Sequence, residues 1–198
     1  MLRESIDHLD AILLTHEHND HIIGMDDVRP FNFSQQTDMP VYATERVEGE
    51  LKQRFSYVFE AVPYPGAPQL QLHRIDASTP FTAASIGIMP VAIFHGNLPI
   101  LGFRIGNFAY LTDVKTIPEA EMTKLTGLNT LVLNALHMNP HRTHLNVPEA
   151  LQMIETIQPK QAYLTHVSHR MGLYAEVEKQ LPKGVNLAYD GLSFKDSF

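Results

Sequence analysis

The run Thr15-His-Glu-His-Asn-Asp-His21 holds four side chains that commonly ligate metals: His16, His18, Asp20 and His21. It stands directly behind Leu9-Asp-Ala-Ile-Leu-Leu-Thr15, an apolar stretch that reads as a buried strand. Along extended backbone alternate side chains share one side, so His16 and His18 are expected to point the same way. Asp20 and His21 then open the next element and are expected to face a second ion. Imidazole and carboxylate without thiolate suit Zn²⁺, Mn²⁺ or Fe rather than a structural zinc finger. The chain has no cysteine, which also removes disulfides and Cys nucleophiles.

Three further residues of the same kind stand just past predicted strands. His95 follows Pro90-Val-Ala-Ile-Phe94, Asp113 follows Ala109-Tyr-Leu-Thr112, and His166 follows Ala162-Tyr-Leu-Thr165. Ligands set where strands end can converge at one rim of a sheet, with rigid backbone fixing their positions. Each alone would be an ordinary structural histidine or turn aspartate. Together with the His-rich run they form a ligand set.

The rest of the chain alternates short apolar runs with amphipathic ones. Pro40–Ala43 and Leu131–Leu133 read as further strands, and Leu101–Ile105 and Phe108–Thr112 flank the hairpin turn Gly106-Asn107. Val47, Leu51, Phe55 and Val58 form one apolar stripe behind the cap candidate Thr44. Asn146 is placed to cap a helix with Pro148 and Glu149 in its first turn. Pro118–Leu125 and Gly172–Leu181 are shorter helix candidates, and Val62–Pro68 reads as a surface loop. Strands mixed with helices, with both hairpin and crossover-length connections, predict an α/β (or α+β) mixed sheet covered by helices, one domain over 1–198. The net charge of −7 argues against a general polyanion binder. No apolar run is long enough for a membrane span and the start lacks a signal-peptide core, so a cytoplasmic location is expected.

Thr-His-Glu-His-Asn-Asp-His resembles the H-x-H-x-D-H signature of the metallo-β-lactamase-fold hydrolases, and the order His95, Asp113, His166 is similar to that superfamily's later metal motifs. More narrowly, Leu-Thr-Asp113, Arg142-Thr-His144 and Thr-His166-Val-Ser-His resemble its phosphodiesterase branch. That branch includes tRNase Z and a cyclic ribose-phosphate phosphodiesterase. The resemblance implies an αββα sandwich of mixed sheets flanked by helices. It implies one ion held by His16, His18 and His95, a second by Asp20, His21 and His166, and Asp113 bridging both. Zn²⁺ is the first expectation, with Mn²⁺ or Fe as alternatives. His144 matches a position the branch uses as proton donor or substrate contact. His141 and His169 are expected to line the pocket, Arg29 is a candidate phosphate contact, and His137 carries no assignment.

The function implied is a dinuclear metal-dependent hydrolase, a phosphodiesterase acting on a small cyclic phosphate or nucleotide. Two ions share a hydroxide that attacks phosphorus, Asp20 or Asp113 orients it, and His144 protonates the leaving oxygen. The alternatives are tRNA 3′-end processing, which the acidic balance disfavours, thioester or lactam hydrolysis on the same metals, and a non-catalytic metal-binding or interaction protein. Members of the superfamily usually place several strands ahead of the first motif. Here only fifteen residues precede His16, so N-terminal strands are expected to be missing. The sheet edge this would expose predicts a homodimer or higher oligomer.

Overall fold

The alternation of Met39-Pro-Val-Tyr-Ala43 places Met39, Val41 and Ala43 on one buried face, the mark of a half-buried strand. The computed structural model describes residues 2–62 and 64–195; Met1, Pro63 of the expected Val62–Pro68 loop, and 196–198 fall outside the described residues. The chain divides into two compact units, Met1–Ile86 and Gly87–Phe198.

In the first unit β1 (Ile12–Leu13), α1 (Asn19–Ile22), α2 (Arg29–Gln35), β2 (Met39–Ala43), α3 (Glu45–Arg54), β3 (Leu70–Arg74) and β4 (Phe81–Ala83) follow one another. Strands β1, β2 and β3 pair in that order, all parallel. Helix α3 begins where expected: the Thr44 hydroxyl accepts from the Val47 N–H at 3.4 Å. Its acidic first turn and basic last turn complement the helix dipole. The helix stops at Arg54, but a 3₁₀ turn over Ser56–Val58 keeps Phe55 and Val58 buried with Val47 and Leu51. Ile22, Met25, Val28 and Phe31 complete this core.

Two elements are shorter than the apolar pattern predicts. The strand expected over Leu9–Thr15 is a ladder only at Ile12–Leu13. Upstream, the Gln35 side chain accepts from the Leu9 N–H and donates to the Leu9 carbonyl, at 2.8 and 2.9 Å, which replaces strand pairing there. The helix expected over Gly172–Leu181 covers only Tyr174–Glu178, because Gly172 holds a φ of 106° that a helix cannot include.

The second unit carries β5 (Ile86–His95), β6 (Leu98–Ile105), β7 (Phe108–Leu111), α4 (Glu119–Met122), β8 (Thr130–Asn134), α5 (Val147–Ile157), β9 (Gln161–Thr165), α6 (Tyr174–Glu178) and β10 (Val185–Leu187). Its strands lie in one sheet in the order β10-β9-β8-β7-β6-β5. The β5-β6-β7 pairs are antiparallel and the β7-β8-β9-β10 pairs parallel. The mixed sheet flanked by helices is therefore as expected. All five residues of β8 are buried, as befits a central parallel strand. Gly102 of β6 is where the hairpin sheet needs no side chain: a Cβ there would lie 2.2 Å from Leu111 Cδ2. Val91, Ile93, Leu111, Leu131, Leu133 and Leu164 pack in one core with Ala150 and Ile154 of α5. Among the described residues no helix is long and apolar enough to cross a membrane.

Helix α5 is fixed by a capping box: Asn146 Oδ1 accepts from the Glu149 N–H at 2.8 Å, and Glu149 Oε2 accepts from the Asn146 N–H at 3.0 Å. Lys115 Nζ also reaches Glu149, at 2.8 and 2.9 Å. Burial alone would raise the Glu149 carboxyl, but the Lys115 ammonium and the Asn146 N–H together hold it below its ordinary value. A depressed carboxylate contributes stability above its unfolded pKa, about 4.3, and that stability is lost as the pH falls through the folded value. Glu149→Gln is therefore expected to lower stability by about 0.5–1 kcal/mol at neutral pH. In urea denaturation the difference from the parent chain should disappear as the pH drops below about 4.

Candidate metal centre

In the first unit the ligand run leaves β1 in extended backbone and enters α1. His16 is fully buried, and its rings contact His18 (centroids 4.6 Å apart) and His21 (4.1 Å). His16 Nε2 lies 3.1 Å from His18 Nδ1, as side-chain alternation predicts, and the Thr15 hydroxyl lies 3.0 Å from His16 Nδ1. Asp20 and His21 fall in α1, with Asp20 Oδ2 3.4 Å from His21 Nε2. Four of the proposed ligands are thus held by one short strand-to-helix turn.

In the second unit the strand ends do the same work. His95 is the last residue of β5 itself rather than the first beyond it. Its Nδ1–H donates to the Thr143 carbonyl at 2.9 Å and the Asp113 carbonyl at 3.1 Å. Those bonds place the ring proton on Nδ1, so Nε2 carries the lone pair, the arrangement typical of a metal-ligating histidine. Asp113 is 2% exposed. Its Oδ2 accepts from the Thr112 hydroxyl at 2.6 Å, while Oδ1 lies 2.9 Å from His144 Nε2 and 3.3 Å from His166 Nε2. Ligand atoms of His95, Asp113 and His144 all lie within 4.8 Å of one another. A buried carboxylate surrounded by imidazoles, with no thiolate, matches the donor set of a divalent transition ion.

Asp113 and His166 share a backbone device. Both hold positive φ, 58° and 54°, which costs an L-residue roughly 1–2 kcal/mol. Non-glycine residues in this region concentrate at functional sites. Both also follow the same tetrapeptide, Ala-Tyr-Leu-Thr, at 109–112 and 162–165. That echo in the sequence was the available sign that β7 and β9, the two strands flanking β8, end in the same kind of turn.

The remaining candidates separate. His144 and His166 rings stack at 5.1 Å, and His141 joins them through His144, Nδ1 to Nδ1 at 3.1 Å. Burial, with His144 and His137 beside it, holds the His141 imidazole below its ordinary pKa. His169 is exposed. Arg29 spends its guanidinium on the Asp26 and Gly66 carbonyls, at 3.3 Å each. Sequence reasoning missed Thr143 and Gly96. Gly96 has a φ of 61°, and a Cβ there would stand 2.9 Å from Thr143 Cγ2, so only glycine lets the Thr143 carbonyl close on His95.

Residues 1–167 match the family described as beta-lactamase superfamily domain, and the chain belongs to that superfamily. It is 40% identical to a diphosphatase from the PhnP family whose crystal structure superposes with a TM-score of 0.88, covering 96% of this chain and 72% of that one. Human tRNase Z, short form, shares the fold at 15% identity, with a TM-score of 0.69 over 96% of this chain and 78% of that one. An octanoyltransferase of Porphyromonas gingivalis is 39% identical over 188 residues, 94% of this chain but 38% of that protein. The chain therefore spans well under half the length of that relative. Fold, superfamily and a metal-ligand cluster are thereby in agreement with the motifs.

Proposed function

We propose that the chain is a dinuclear metal-dependent phosphodiesterase acting on a small cyclic phosphate or nucleotide. The ligands would be His16, His18 and His95 for one ion and Asp20, His21 and His166 for the other, with Asp113 bridging. The observation that carries the reading is the Asp113 carboxylate, buried, held by Thr112, and met by His144 and His166 at 2.9 and 3.3 Å. A diphosphatase at 40% identity supports phosphorus as the centre attacked. When bound, two divalent ions polarise the phosphoryl oxygens and lower the pKa of an attacking water.

The chain's own residues supply the rest. Asp20 or Asp113 orients the nucleophile. His144 holds its Nε2 proton 2.9 Å from Asp113 and gives it to the leaving oxygen as that oxygen gains charge. The Asp113 and His95 elements are tied by the His95 bond to the Asp113 carbonyl, which keeps donor and ligands in one rigid frame.

Mass spectrometry of metals on protein purified without chelator, beside a substrate screen, tests this. Two ions per chain and turnover of a phosphodiester are expected. Stripping the metal with EDTA should abolish turnover, and Zn²⁺ or Mn²⁺ should restore it. Metal binding without turnover of phosphodiester, diphosphate or thioester would favour a non-catalytic protein. Turnover of an octanoyl thioester alone would move the activity to acyl chemistry on the same residues.

A further inference from the structure

His144 is the one candidate proton donor whose two ring nitrogens are both engaged by side chains, and the partners differ. On one edge Nε2 lies 2.9 Å from Asp113 Oδ1. On the other edge Nδ1 lies 3.1 Å from Nδ1 of His141. The Thr143 N–H donates to His141 Nδ1, so that nitrogen is an acceptor and the proton of the pair sits on His144 Nδ1. The Thr143 hydroxyl, 3.1 Å from His144 Nδ1 and 3.4 Å from His141 Nδ1, and the Thr143 N–H, 3.4 Å from His141 Nδ1, brace the pair from the side. Behind it stands His137, 4% exposed, its ring edge-on to His141 with centroids 5.8 Å apart.

The geometry points to His141 as the positioning residue for His144, acting through the Nδ1–Nδ1 contact rather than on substrate. It rests on His144 being the donor in the phosphodiesterase proposed above. Held at Nδ1, the His144 ring cannot flip, and Nε2 is the nitrogen that gives up its proton. His144 enters the step as imidazolium, protonated on both nitrogens. When the Nε2 proton passes to the leaving oxygen, the bond from phosphorus to that oxygen breaks. The ring, now neutral, keeps its Nδ1–H donated to His141. The arrangement uses one histidine to set the tautomer of another, the part usually played by a carboxylate or a backbone carbonyl. It also explains the spacing of three between His141 and His144 in Pro140-His-Arg-Thr-His144, a loop that returns to the start of α5.

The test compares two leaving groups on the full, metal-loaded chain. Bis(p-nitrophenyl) phosphate expels a stable phenolate and needs little help from an acid, whereas adenosine 2′,3′-cyclic phosphate expels a basic alkoxide. His141→Ala is expected to lower kcat on the cyclic phosphate about 10–100-fold with KM nearly unchanged. On the nitrophenyl ester it should lower kcat less than about threefold. His141→Asn, whose amide reaches the position of Nδ1, should restore most of the loss, while His141→Gln, whose amide reaches that of Nε2, should behave like alanine. The metal count should stay at the parent value in all three. Equal losses on both substrates, no loss on either, or asparagine no better than glutamine would overturn the inference while leaving the phosphodiesterase intact. A parent enzyme that holds its metals and cleaves neither substrate would overturn both.

Discussion

Asp113→Asn is expected to strip one or both ions from the proposed metal centre and to abolish turnover while leaving the fold in place. The substitution isolates charge from backbone. Asparagine tolerates the left-handed conformation that position 113 requires, at φ 58°, better than alanine does. Its amide oxygen can still accept from the Thr112 hydroxyl, which meets the carboxylate at 2.6 Å. What it lacks is the negative charge that, in the proposed centre, offsets both ions. Losing an outer hydrogen-bond partner of a ligand typically costs about 10–100-fold in affinity or activity. Losing a bridging carboxylate should exceed that, with metal falling from two per chain to one or none. Mass spectrometry and denaturant unfolding measured side by side check it. Full metal occupancy in a folded Asp113→Asn protein would remove Asp113 from the ligand set.

Three of the candidate ligand positions could be picked out in the sequence because they stand at strand ends, and strand ends are where apolar runs stop. His95, Asp113 and His166 could be found from Pro90–Phe94, Ala109–Thr112 and Ala162–Thr165, and the structure ends β5 at His95, β7 at Leu111 and β9 at Thr165. The α5 cap was equally readable, since Asn146 and Glu149 are the residue types a capping box requires. Long-range hydrogen bonds were not. The shortening of β1 depends on Gln35, 26 positions away from Leu9. The carbonyl that fixes the His95 tautomer belongs to Thr143, 48 positions on. Backbone carbonyls carry no residue identity, so no motif could have announced that contact. The same holds for Arg29, read as a candidate phosphate contact from its place behind the motif: its guanidinium meets two main-chain carbonyls of its own unit, partners that residue types do not announce.

His144→Gln should separate acid catalysis from metal binding. His144 lies among ligand atoms, within 4.8 Å of both His95 and Asp113, so proximity alone would admit it as a ligand. The sequence resemblance makes it the proton donor instead, and its outer partner is of another kind. His144 Nδ1 is turned to the His141 side chain at 3.1 Å. The His95 Nδ1–H, by contrast, is committed to backbone carbonyls, leaving Nε2 as the basic nitrogen of a ligand. Removing His144 should therefore cost the contribution of a positioned acid, about 10²–10⁴-fold in kcat on an alkoxide-leaving substrate. The metal count should not change, and a nitrophenyl ester should be cleaved at close to the parent rate. Glutamine keeps a side chain of comparable reach, so His141 and His166 retain a packing neighbour and the loop before Asn146 is not emptied. If metal and turnover fall together on both substrates, His144 is a ligand, and the donor must be sought among the other side chains of the second unit.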